Sequence, residues 1–526
     1  MTIFIKHWFQ QKVLLTCFLC ALAPLLDQHA SAKVVLVSSP TELTETIQIA
    51  NPGDVLELAP GSYGELVLNG NKPSVADKPA DGATGQIILK ASDINNPPEF
   101  SKIALNKVSG LRFSNVKLKA VFKDEKSIKN RYFTIKESDN ITINDCILEG
   151  DKASNTATTA DDFGSGIALS VVNSNFITLN NNTIHTWYRG AIFTNTNNLK
   201  VTKNDLFNLR SDGFDFAGVK NTEILQNHIH DFKRSPESPD HPDMIQFWTR
   251  NTKQQTENVL IQNNILDVGN GDWTQSIFMR NEAVEVAGAG TEMFYKNIRI
   301  EGNLIRNAHG HGITIGASDD LEIVSNTLIQ SENATARGNV SVPGIRVGEN
   351  STNVVISRNI TPRNTLKKSP PSWTIADNAL AQRDVPQRDT FYTHVYVDAL
   401  AAKDVTLADL LLMPGSELAK QGVGSPLSHF DEKPYHNIAL IDNSAANATG
   451  HEQKLWISHA FGPKGQLKLQ IAKIEWTFGD SGTATGEEVV HTFSDFGRYA
   501  VKAVIHLKSG ETITSKRTIE VLADRK

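Results

Sequence analysis

Between residues 228 and 248 the chain concentrates groups that move protons or hold charge: His228, His230, Asp231, Lys233, Arg234, Asp240, His241 and Asp243, followed by Gln246 and Trp248. Asp240-His241-Pro242-Asp243 sets an imidazole between two carboxylates. Imidazole titrates nearest neutrality, so His241 is the leading base, with Asp243 to orient it. Pro236, Pro239 and Pro242 stiffen the approach, as a preorganised site requires. Lys233 and Tyr188 are the other candidate bases, and Arg189 beside Tyr188 would lower the phenol's pKa. Arg280 is read as the cation that neutralises an acidic substrate during reaction. Asp215, Arg346, Trp248, His311, Arg189 and His230 are read as substrate-binding groups. Asp240 and Asp243 could also hold Ca²⁺, which carboxylate-rich sites with few imidazoles favour over a transition metal. Trp187, Phe247, Trp248 and Trp273 would supply walls suited to stacking on sugar rings.

Residues so far apart in sequence need a scaffold that brings them together, and the chain contains a repeat that can. An apolar stretch, then Asn, one residue, then Ile or Leu returns at Asn182, Asn204, Asn227, Asn263, Asn303 and Asn326, at steps of 22, 23, 36, 40 and 23. A basic step of 22 or 23 with longer variants marks a solenoid whose extra residues bulge out at one edge. The expected fold is all-β: a right-handed parallel β-helix. Its strands can be aligned as Gly190-Ala-Ile-Phe, Gly213-Phe-Asp-Phe, Asp243-Met-Ile-Gln, Ser276-Ile-Phe-Met, Gly312-Ile-Thr-Ile and Gly344-Ile-Arg-Val. Alternation then turns the second and fourth columns inward and the first and third outward, with neighbouring coils about 4.8 Å apart. Tyr188, Asp215, His241, Asp243, Arg280 and Arg346 would share one outer face. His311 and Asp212 sit at the boundary between strand and turn.

The rest of the chain sets the context. Of 526 residues, 40% are hydrophobic and 21% charged, enough for a large core. The net charge of −6 and the lack of a basic run argue against nucleic acid. Lys6 and Lys12, an apolar run over 13–26 and Ala30-Ser31-Ala32 read as a signal peptide over 1–32. The mature protein is then expected to be exported to the periplasm or medium, free of the membrane, and monomeric. Two of the three cysteines leave with the signal, so Cys146 has no disulfide partner. The β-helix domain is expected over 33–435, with a capping helix near 41–50. A linker or entry strand over 436–465 and an immunoglobulin-like β-sandwich over 466–526 follow.

Three resemblances sharpen this reading. Residues 52–63, Pro-Gly-Asp-Val-Leu-Glu-Leu-Ala-Pro-Gly-Ser-Tyr, resemble the opening of pectate-lyase-like β-helix proteins, especially the alginate and chondroitin lyases. Asp240-His241-Pro242-Asp243 looks like a permuted relative of the Asp-Pro-His-Asp/Glu motif of mannuronan C5-epimerases. Trp476-x-Phe478-Gly479-Asp480, His491-x-Phe493 and Gly497-x-Tyr499-x-Val501 resemble a PKD module. The resemblances imply an acidic polysaccharide as substrate and removal of the C5 proton of a uronic acid. Loss of the 4-linked sugar gives a lyase; return of the proton on the other face gives an epimerase. The leading expectation is the lyase. A hydrolase is a third reading, since Gly310-His311-Gly312 is similar to a polygalacturonase string, although that family's Asn-Thr-Asp and Arg-Ile-Lys motifs are absent. A fourth is a solenoid that binds carbohydrate without turning it over.

Overall fold

The computed structural model describes residues 32–70, 85–331, 342–366, 369–400, 405–430, 437–445, 451–462 and 465–522. The signal segment, but for its last residue, lies outside the described residues.

Three parallel ladders build the expected β-helix. One is a thirteen-stranded sheet. The other two run side by side in a twenty-stranded sheet. The ladder that matters for chemistry stacks Ile167–Val172, Arg189–Thr194, Phe214–Ala217, Asp243–Trp248, Gln275–Arg280, His311–Ile315 and Gly344–Val347. Its neighbour stacks the three- and four-residue strands that follow each repeat, among them Thr183–His185, Asp205–Phe207, His228–His230, Ile265–Asp267 and Leu304–Asn307. Inward side chains form one continuous core, including stacked Phe193, Phe216 and Phe247.

The repeated asparagine forms a buried ladder along the cylinder. The backbone N–H and side-chain Nδ2 of Asn182 both donate to Oδ1 of Asn204, which passes the pattern to Asn227, Asn264, Asn303, Asn326, Asn359 and Asn378. Each amide also donates to a backbone carbonyl of the preceding coil, as Asn204 does to Leu179. The member from the long coil is Asn264, not Asn263. The residue before each ladder asparagine turns through left-handed backbone (Asn181, Lys203, Gln226, Gly302, Ser325), and Asn263 at φ 53° takes that place. At Asn181-Asn182 and Asn263-Asn264 the first residue makes the turn and the second is buried. Cys146 fills the ladder position one coil earlier, and its N–H donates to Asn182 Oδ1.

The N-terminal cap is the helix Pro40–Ile49, which buries Leu43 and Ile47 and whose Ser39 hydroxyl accepts from Glu42 N–H. At the other end, where the repeat decays, Phe391, Tyr392, Tyr396, Leu410 and Leu412 pack over Leu304, Ile329 and Ile360. Of the two readings of 436–465, linker or entry strand, the described residues there form strands. Ile438–Ala445 and Glu452–Gly462 pair with each other, and the latter also pairs with Glu488–Thr492. They form one sheet of the C-terminal sandwich, and the strand around Trp476 belongs to the other. The sandwich is docked on the β-helix cap through Arg517, which donates to Thr393 O, and Thr518 N–H, which donates to Asp398.

Candidate functional site

Strand register decides what faces outward. Ile192, Asp215, Gln246, Phe278, Thr314 and Arg346 lie in one row, and Trp248 lies beside Arg280 in the next. The expected alignment was therefore one residue out at a single coil. Gln246 takes the outer position beside Asp215, and Asp243 pairs with Gln275 at the strand entry. Met244 and Ile245 are both apolar and both buried, so alternation does not fix the phase there. Gly190 and Gly213 keep the strand entries close. A Cβ on Gly213 would lie 2.5 Å from Met244 O, and one on Gly190 2.4 Å from Gly213 O.

This entry point holds three buried carboxylates. Arg189 bridges Asp212 at 2.9 Å and Asp215 at 3.0 Å. Asp243 N–H donates to Asp212 Oδ1 at 3.1 Å, tying the third carboxylate's backbone to the same centre. Gln246 Nε2 donates to Asp243 Oδ2 at 2.9 Å. Asp215 Oδ1 and Asp243 Oδ1 are buried without a hydrogen-bond partner. Three carboxylates against one guanidinium cannot all ionise cheaply in a dry setting. Burial pushes Asp243 up to about 7, with Asp212 adding repulsion. Burial also raises Asp212, and raises Asp215 well above the carboxylate range, with Asp212 again repelling. The Arg189 guanidinium loses solvation by burial, yet Asp215 and Asp212 hold its proton more tightly than usual.

A histidine links this centre to solvent. His241 Nδ1 lies 3.3 Å from Asp243 Oδ2, and the imidazole is 64% exposed where the carboxylate is 0%. The hydrogen bond to Asp243 raises the imidazole pKa, against the smaller effect of partial burial. A buried acid thus supports an exposed acid–base group, an arrangement suited to proton transfer.

The surroundings are aromatic and cationic. Trp248 packs with Ile167, Tyr188 and Ile192 into an apolar patch on the outer face. Further along, Trp273 stacks on His309 at 4.7 Å, His309 on His311 at 5.2 Å, and Arg234 covers Trp273 at 4.2 Å. Burial and then His311 push His309 down to about 4, and burial and Arg346 lower His311, so both rings are neutral acceptors or donors at pH 7. Arg280 and Arg346 are exposed on this face.

Several expected roles change. Tyr188 is buried, its hydroxyl donates to Asp240 Oδ1 at 3.3 Å, and burial and Asp240 raise its pKa where Arg189 alone would have lowered it. It is poorly placed to be a base. Asp240, read with Asp243 as a candidate Ca²⁺ ligand, is held by Arg210 at 3.0 Å and by the Ser238 hydroxyl at 2.5 Å. Lys233 reaches towards Asn270 O at 3.4 Å, in a turn beside the ladder. His230 projects from the neighbouring ladder, bound to Asp205 and Asp231, away from the Asp215 row. Trp187 and Phe247 belong to the core, the indole N–H of Trp187 donating to Leu148 O at 2.8 Å. Arg189, 27% exposed, turns its guanidinium to the carboxylates of Asp212 and Asp215. His311 stands at the start of its strand with Nδ1 2.8 Å from Thr314 Oγ1, on the outer face. The central role of Asp212 and the buried Arg210 were not anticipated. Asp212-Gly-Phe-Asp215 carried the signal, as two acids three apart at a glycine-marked strand entry.

No curated protein matches the sequence. Among solved structures the chain is similar to the PL6 family alginate lyase AlyGC, at 10% identity and TM-score 0.31, over 68% of this chain and 52% of that one. The match thus spans about half of AlyGC's length. It is also similar to the PL6 family polysaccharide lyase Pedsa3628 from Pseudopedobacter saltans, at 12% identity and TM-score 0.34, over 68% of this chain and 94% of that one. The polygalacturonase from Erwinia carotovora ssp. carotovora matches at 12% identity and TM-score 0.34, over 61% and 94%. Residues 447–521 match the model of the PKD domain. The chain is a parallel β-helix followed by a PKD domain.

Proposed function

We propose that the β-helix domain is a polysaccharide lyase acting on an acidic, uronic-acid-containing polymer. The observation that carries the reading is the pairing of exposed His241 with wholly buried Asp243. Neutral His241 takes the C5 proton, the C4–C5 double bond forms, and the C4–O4 bond breaks. The imidazolium then returns the proton to the departing O4. Arg280 and Arg346 neutralise the substrate carboxylate, which lets negative charge build at C5. Trp248 and the Trp273–His309–His311 stack offer rings to the sugars on either side.

Hydrolysis by paired acids needs two carboxyl groups that reach the glycosidic bond. Asp212, Asp215 and Asp243 are all shut from solvent, which favours the proton-transfer reading. The substrate is read as alginate-like, by the resemblance of residues 52–63. The test is a panel of acidic polysaccharides followed by ultraviolet absorbance for unsaturated uronides and by proton NMR. Absorbance that rises with chain cleavage supports the lyase. Exchange at C5 with the chain intact would replace it by an epimerase, and new reducing ends without absorbance by a hydrolase.

A further inference from the structure

Outside the groove, two consecutive coils bring three metal-ligating groups together on the neighbouring ladder. Asp205 and His228 are direct register partners, and His230 follows two residues on, so both imidazoles leave the same side of their strand. His228 Nδ1 lies 3.2 Å and His230 Nε2 3.1 Å from the same oxygen, Asp205 Oδ1. The two rings stack at 4.0 Å. All three donor atoms fall within 4.8 Å of one another.

We propose that Asp205, His228 and His230 form a binding site for a divalent late first-row transition metal ion, of which Zn²⁺ is the test case. Tetrahedral zinc with bonds of about 2.0–2.1 Å sets its ligands about 3.3 Å apart, close to the two Asp–His separations. Two imidazoles and one carboxylate suit Zn²⁺, Ni²⁺ or Cu²⁺ better than Ca²⁺. A supporting partner is in place. His230 Nδ1 lies 2.5 Å from Asp231 Oδ2, which leaves Nε2 to face the ion, as carboxylate–histidine–metal arrangements require. Asp231 is itself fixed, since its Oδ1 accepts from Asn270 N–H at 2.6 Å. The site is open to solvent, the Asp205 and His228 side chains being 44% and 46% exposed, so water can complete the coordination. An ion at this point would staple two coils of the β-helix.

The experiment is calorimetric titration of the full-length, tag-free protein with ZnCl₂, together with melting temperature and the visible spectrum of the Co²⁺-loaded protein. The wild type is expected to bind one ion here, to melt at a higher temperature with Zn²⁺, and to show a Co²⁺ d–d band. Asp205→Asn and His228→Gln, checked for folding by circular dichroism, should abolish the tight event and the band. Asp231→Asn should weaken binding by about 10–100-fold while keeping it. Binding unchanged in both Asp205→Asn and His228→Gln, or no binding by the wild type up to millimolar Zn²⁺, would overturn the proposal. Lyase activity is read separately, so failure of the groove mechanism leaves this result untouched.

Discussion

The imidazole of His241 rests with Nδ1 3.3 Å from Oδ2 of Asp243, a carboxylate that solvent does not reach. The ring gains a partner that favours its charged form, and the acid gains its link to the surface. Because Asp243 Oδ1 has no hydrogen-bond partner, the acid depends on His241 and Gln246 for its polar contacts.

Removing the ring should remove the chemistry. His241→Ala is expected to lower kcat by about 10²–10⁴, the usual contribution of a positioned acid–base group. The neutral ring is the base, and Asp243 raises its pKa from 6.5, so kcat/KM should rise with pH through a midpoint above 6.5. A pH–rate profile checks this, and a midpoint below 6.5 would count against His241.

Replacing the buried acid should trade activity for stability. The Asp243 carboxyl has its pKa raised from 3.8 to about 7, so its protonated form favours folding at low pH and that contribution is lost as pH rises through about 7. Asp243→Asn should therefore raise Tm at pH 8, by the equivalent of about 1–3 kcal/mol, with little change at pH 3.5. Activity should fall, and the rising limb of the pH profile should move to lower pH. Thermal melts at the two pH values decide the matter.

Arg189 should behave oppositely. Arg189→Met leaves Asp212 and Asp215 without their guanidinium, a loss of about 3–5 kcal/mol at neutral pH. The deficit should shrink at low pH, where the carboxyls are protonated. Denaturant melts at pH 7.5 and pH 4 would reveal a penalty independent of pH if the bridge were unimportant.

The asparagine ladder gives a paired test of register. Asn264→Ala removes the acceptor for both Asn227 N–H and Asn227 Nδ2, and should cost about 1–3 kcal/mol. Asn263→Gly, at a left-handed turn position, should change stability by less than about 0.5 kcal/mol. Equal losses would contradict the assignment of Asn264 to the buried ladder.

The fold was legible because its determinants are local and repeated. Each coil needs a left-handed turn residue, a buried asparagine and an alternating strand, and all three leave marks in sequence. The site was legible only in part. Alternation placed Asp215, Phe278, Thr314 and Arg346 in one row, but it gave no phase at Asp243, where Met244 and Ile245 are both apolar. Charges were harder still. Nothing in Tyr188-Arg189 reveals that Arg189 turns to Asp212 and Asp215 while Tyr188 is paired with Asp240. Such choices are made between coils whose side chains meet only after stacking. The place of His230 was hidden for a related reason: two residues apart on one strand share a face, but sequence does not say which of three ladders that strand joins.

Incubation of wild type and His241→Ala with a panel of uronic-acid polymers, monitored for unsaturated uronide absorbance, decides whether the His241–Asp243 pair drives elimination. Absorbance should rise with at least one polymer for the wild type, and the rate should be lower by about 10²-fold or more for a folded His241→Ala variant. Full activity in that variant, or cleavage that yields reducing ends and no absorbance, would contradict that role.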